Sequence, residues 1–244
     1  MNTSSHHAQP NEHLVVGFIA NSFGPENASK IFDKFIRSPG SQDHQRPPAH
    51  ILQYTDGTYR SNSRPDIVLD YPNDGKGTIV PQGMWQPMQN GDVARHVRDA
   101  TLLFPIFFIN LNYTIGVELA QIVNARPGTP VNIYRANELV PLGNLATTHL
   151  CLKWPGYAQG YRKQVEIKDA NKVPITMSKL VERIASFVSR FIDEASGWPI
   201  DPRSAHWRVG RGFITKDNLY VVGLVHVSAG CWQPVIQLKG VNYL

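Results

Sequence analysis

The 244-residue chain is poor in most of the features that place a protein quickly. It has only two cysteines, Cys151 and Cys231, which excludes a disulfide-dense scaffold. They lie far apart in apolar, strand-like runs, and we expect two buried free thiols. No long hydrophobic run is present. The most apolar stretch, Leu102 to Leu111, is about half the length a membrane span needs and contains Pro105. The N-terminal stretch Met1 to Glu12 has no apolar segment of the kind a secretory signal carries, and it is not Arg-rich. The expectation is a cytoplasmic protein with no membrane partner. Internal repeats, a Walker loop, a G-x-G-x-x-G fingerprint and a G-x-S-x-G elbow are all missing, so the common nucleotide-hydrolase, dinucleotide and esterase signatures are excluded. The cysteines form no C-x-x-C, and no His pair outside the N-terminal tail has ligand spacing, so no metal site is expected.

What remains is an ordinary globular composition with 42% apolar and 18% charged residues, enough for a sizeable core. The net charge of +5 is unevenly placed. Residues 1–122 carry 9 basic and 11 acidic side chains, and residues 123–244 carry 15 and 8. Such a bias suits acidic partners for the second half, or self-association between unlike halves.

Residues 1–13, with His6, His7 and His13, read as a tail that is flexible or forms an interface. Residues 14–244 read as one β-rich domain. Leu14 to Ile19 has strand character. Pro25 and Glu26 then open a helix with Ala28, Ile31, Phe32, Phe35 and Ile36 on its apolar stripe. A hairpin around Asp56-Gly57 follows, then a short strand at 67–71 and a loop over 78–92. Strand-like runs come at 100–109, 112–123, 130–135, 147–154 and 163–168. The 3-4-3-4 spacing from Met177 to Ile192 predicts a long helix, capped by Thr176 or Ser178 and ended by Gly197. A hairpin over 212–227 and a last strand at 235–238 complete the pattern. Two helices among nine to eleven strands, without regular alternation, predict an α+β, strand-rich fold rather than a doubly wound parallel sheet.

Few groups suggest chemistry. Asn73-Asp74-Gly75-Lys76-Gly77 is a turn whose backbone N–H groups are candidates for a phosphate-binding nest, with Lys76 adding charge. Arg203, His206, Trp207, Arg208 and Arg211 form a basic-aromatic cluster, which suits a protein interface first and nucleic acid or nucleotide second. His149 and His226 alternate within apolar strands and read as satisfied core or interface histidines. Tyr59-Arg60-Ser61-Asn62-Ser63-Arg64-Pro65 looks like the Tyr-Arg-x-x-x-Arg-Pro opening of toxin-type ADP-ribosyltransferases, with Glu138 as the candidate distant acid. The Ser-Thr-Ser strand and paired acid of that family are absent.

The order of elements resembles cypovirus polyhedrins, the crystalline matrix proteins of insect-virus occlusion bodies. The likeness runs from about residue 27 to 227. It rests on the early amphipathic helix, a short strand entering Tyr71-Pro72-Asn73-x-Gly75, and the run Phe108-Ile109-Asn110-Leu111-Asn112-Tyr113-Thr114-Ile115 leading to Leu119-Ala120. The long helix at 177–195 and the hairpin at Phe213 to Val225 complete it. Polyhedrins have a longer N-terminal arm, which here is a short polar tail. The resemblance implies a compact β-sandwich with flanking amphipathic helices and homotrimers packed into a crystal around virus particles in the infected cell's cytoplasm. The residues themselves offer no catalytic set and call for no cofactor, and some polyhedrins are similar in holding nucleotides as lattice components. An ADP-ribosyltransferase-like enzyme, and a nucleotide- or nucleic-acid-binding module built on the basic half, are the competing readings.

Overall fold

A computed structural model describes residues 16–36, 51–86, 100–126, 128–143 and 145–240. The tail at 1–13, the polar segment at 41–48 and the later part of the 78–92 loop fall outside these residues. Four α-helices are described: α1 (Phe18–Phe23), α2 (Pro25–Ile36), α3 (Leu119–Asn124) and α4 (Met177–Ala195). Eight strands accompany them: β1 (Ile51–Gln53), β2 (Tyr59–Ser61), β3 (Ile106–Phe107), β4 (Val117–Glu118), β5 (Thr147–Leu152), β6 (Tyr161–Glu166), β7 (Leu219–Ser228) and β8 (Cys231–Leu238). The class is α+β and strand-rich, as expected. The layering is one six-stranded sheet, in the order β3-β7-β8-β5-β6 with β4 also on β7, clasped between helices. The β1–β2 hairpin forms a separate two-stranded sheet, and its turn uses the left-handed backbone of Gly57 (φ +81°).

Side-chain alternation on the sheet sends residues to two cores. On one face Leu150, Leu152, Leu219, Val221, Trp232 and Ile236 pack against α4. On the other, Cys151, Val222, Val225, Val227 and Val235 pack against α1 and α2. The helix α4 follows the predicted stripe, burying Leu180, Val181, Ile184, Phe187, Val188, Phe191 and Ile192. Its cap is Thr176, whose hydroxyl accepts the Lys179 N–H at 3.3 Å.

Several expectations are corrected. The apolar run at 14–19 is not a strand throughout: Gly17 makes one bridge to Pro72, and Phe18 starts α1. The buried Asp70 carboxylate, 51 residues away, accepts the Ile19 N–H at 2.9 Å and so captures an orphan donor of that helix end. The run at 112–123 divides into β4 and α3, which adds a helix. The runs at 67–71 and 130–135 make only isolated bridges. The hairpin expected over 212–227 is replaced. A 3-10 turn at Lys216–Asn218 leads into β7, which pairs antiparallel with β8 from Leu219↔Leu238 to Ser228↔Cys231. The last strand starts earlier than the expected 235–238: β8 runs from Cys231 and carries Pro234 opposite Leu224.

The two thiols are also corrected. Parallel pairing of β5 with β8 sets His149 opposite Cys231 and brings Cys151 within a Cα distance of 6.4 Å of it. The structure joins Cys151 and Cys231 as a buried disulfide, and neither is free. A separation of 80 residues hid that neighbourhood from sequence reasoning.

Candidate functional site

The turn at 73–77 lies against β8. On the α1/α2 face β8 alternates Cys231, Gln233, Val235 and Gln237, so two amides point into an otherwise apolar layer. Gln237 Nε2 donates to Asn73 Oδ1 (3.2 Å), Asp74 Oδ1 (2.9 Å) and the Gly77 carbonyl (3.1 Å). Two of the N–H groups that a phosphate nest would offer are already bonded: Gly75 to Asn73 Oδ1 and Lys76 to Asp74 Oδ1, each at 3.1 Å. Lys76 Nζ pairs with Asp74 Oδ2 at 2.7 Å and donates to the Ile115 carbonyl at 2.9 Å. Partial burial opposes ionisation of Asp74, but the bonds from Lys76 and Gln237 prevail and hold its carboxyl below the usual range. Gly77 (φ +157°) leaves no room for a Cβ, which would collide with the Leu238 carbonyl. The turn is therefore a clamp between β8 and the segment before it. The next amides continue it: Gln82 Nε2 donates to the Pro234 carbonyl at 2.6 Å, and Gln233 Nε2 to the Gly83 carbonyl at 3.2 Å.

The basic-aromatic cluster separates into a buried and an exposed part. Trp207 is core, which corrects its reading as a surface residue. Its ring lies 6.3 Å from Trp154, and its carbonyl accepts the Trp154 indole N–H at 2.8 Å. Arg203, His206 and Arg211 stay exposed, and Arg203 is held by Asp201 at 3.1 Å. Arg208 lies over the exposed Phe213 ring at 5.3 Å. One tryptophan that looked like an interface anchor thus holds the loop that displays its neighbours.

Arg60 and Glu138 are not brought together. Tyr59, next to Arg60, packs in the α1/α2 core, whereas Val140, two residues after Glu138, packs in the α4 core on the other face of the sheet. Arg60 is occupied within its own hairpin by Asp56 (2.7 Å), Thr58 Oγ1 (2.8 Å) and the Pro65 carbonyl (2.9 Å). Glu138 pairs with Arg135 at 2.6 Å.

His226 is a satisfied core histidine. Its Nδ1 accepts the Leu103 N–H at 2.9 Å, and its ring stacks on Trp232 at 4.4 Å. Burial pushes its pKa down to about 4. Burial and then the Arg162 charge also lower His149. Among the described residues, no group of three or more His, Cys, Asp or Glu side chains gathers to hold a metal, and no helix is long and apolar enough to cross a membrane.

Sequence reasoning missed one surface. The chain between the strand-like runs at 100–109 and 112–123 turns back on itself, and the turn takes in the start of the second run. Tyr113 N–H bonds to the Asn110 carbonyl (2.9 Å), and Asn110 N–H to the Thr114 carbonyl (2.8 Å). The Asx contact of Asn112 with Thr114, at 3.1 Å, was the legible sign of that turn. Tyr113 takes the left-handed conformation (φ +64°) and is 81% exposed. Leu111 on the same turn is 59% exposed. Tyr134 N–H reaches the Ile109 carbonyl at 2.7 Å, which places the 53% exposed Tyr134 on the adjoining segment. Compared with protein-family models, curated proteins and solved structures, the chain finds no match.

Proposed function

We propose that this protein is a structural, self-assembling matrix protein of the polyhedrin kind, forming crystalline occlusion bodies around virus particles in the cytoplasm of an infected cell. Homotrimers are the building unit on this reading, and nucleotides are lattice components rather than substrates. The observation that carries it is Tyr113. A non-glycine residue in the left-handed region costs roughly 1–2 kcal/mol. The ring gains little inside the molecule in return, because it stands in solvent. With Leu111 and Tyr134 it forms an apolar, aromatic surface of the composition found at protein contacts. The separation of Arg60 from Glu138 speaks against the transferase reading.

The test compares wild type with Tyr113→Gly by sedimentation and by light microscopy of expressing cells. Wild type is expected to form oligomers and refractile particles. The glycine variant is expected to be at least as stable and to assemble less. A wild-type protein that stays monomeric at every concentration, or a variant that assembles undiminished, refutes the assignment. NAD cleavage that disappears in Glu138→Ala would replace it with the transferase.

A further inference from the structure

A second surface feature lies away from the aromatic turn. The helix α4 crosses beside β6, the edge strand of the six-stranded sheet, and the two enclose a groove of about 400 Å³. Lys179, Arg183 and Arg190 recur at four- and seven-residue intervals on α4, so one helix face carries all three over the groove. Lys163 enters from β6. The apolar floor includes Val165 and Phe187. Two carboxylates share the site: Glu182 pairs with Lys179 at 2.6 Å, and Glu166 approaches Arg183 at 3.6 Å. Lys163 is also held by Glu194, at 3.4 Å beside the groove, so four cations face three carboxylates and the lining keeps one positive charge in excess.

The decisive atom is Arg183 Nε. It is buried and has no hydrogen-bond partner, while the guanidinium's outer nitrogen faces the loosely held Glu166. A buried N–H without an acceptor is costly, and a guanidinium fork matches paired anionic oxygens. We infer that the α4–β6 groove is a binding site for a compact polyanion, a molecule with two or more carboxylate or phosphate groups, whose oxygens engage Arg183 and Arg190. This inference is independent of self-assembly.

Calorimetric titration of the whole protein at low salt, with pyrophosphate in one arm and citrate in the other, tests it and tells the two anion sources apart. Saturable binding in either arm is expected, weakening as salt is raised. Arg183→Gln and Arg190→Gln are each expected to weaken it about tenfold or more, and Arg183→Lys to fall well short of wild type because it lacks the fork. Glu166→Gln is expected to tighten binding severalfold by removing a competing charge. Glu166 is 72% exposed and Arg190 is exposed, so these two variants decide the matter even where an Arg183 variant fails to fold. The inference is overturned by no saturable binding in either arm, or by binding indifferent to Arg190→Gln and Glu166→Gln.

Discussion

Buried polar side chains in this fold act mainly as fasteners, and two of them make it sensitive to pH. Asp70 lies entirely within the α1/α2 side, where its carboxylate accepts the Ile19 and Tyr71 N–H groups at 2.9 Å each. Burial pushes its pKa up to about 8 against the pull of those donors. A carboxyl raised in the folded state contributes stability that is present below the unfolded value, near 4, and lost as the pH rises through about 8. His226 works in the acid direction. Its folded pKa of about 4 lies below the ordinary 6.5, so its contribution is present above 6.5 and lost as the pH falls through about 4. The loss is about 3 kcal/mol over that window. Urea unfolding of wild type and His226→Asn at successive pH values checks this. The asparagine carbonyl replaces Nδ1 as acceptor for Leu103, and the variant is expected to lose less stability between pH 7 and 4 than wild type. Equal losses would remove His226 as the cause.

At the scale of elements, the long helix is the clearest case of a sequence pattern deciding structure. Phe191 sits where the predicted stripe put it, with its ring 5.5 Å from both Trp154 and Tyr161 and 6.2 Å from Trp198. Phe191→Ala is expected to cost about 3–5 kcal/mol, read as a lowered urea midpoint. An unchanged midpoint would mean that the α4 core is not what holds the sheet. Both long helices were legible because their stripes are local and repeat every three to four residues. The elements that were not legible depend on distant partners. The short helix α1 is captured by Asp70, from beyond an intervening hairpin. The strand β8 was legible only over 235–238; its first half, with Gln233 and Pro234, becomes strand because β7 and β5 flank it and the 73–86 segment satisfies its amides. The same reason governs the candidate sites. Residue type located the 73–77 turn and the 203–211 cluster, but not that Gln237 would occupy the one or that Trp207 would leave the other for the core. Tyr113 lay in a run whose apolar alternation concealed a turn.

Across the whole molecule, one sheet joins two cores, and charge is divided unequally along the chain, with the excess of basic residues after residue 122. Copies packed into a lattice must place many such surfaces against one another, so the lattice depends on the sign and size of the charge. Near neutrality the formal net charge is a modest +5. Lys loses its charge and Tyr gains one at about pH 10–10.5. With 9 Tyr in the chain, both changes push the charge strongly negative in one narrow window. Not every phenol takes part equally. Burial raises Tyr59 and Tyr71, and burial together with the Glu194 hydrogen bond at 2.8 Å raises Tyr161 further. Those three therefore ionise at higher pH than an ordinary phenol. Asp70 has by then already surrendered its contribution to the fold. Assemblies are thus expected to be stable near neutral pH and to dissolve above about pH 10 through mutual repulsion. Because repulsion between exposed charges is screened, added salt should delay dissolution to higher pH. Turbidity of purified particles between about pH 7 and 11, at low and high salt, measures both effects. Particles that remain intact at the alkaline end in low salt would show that their contacts do not depend on these charges.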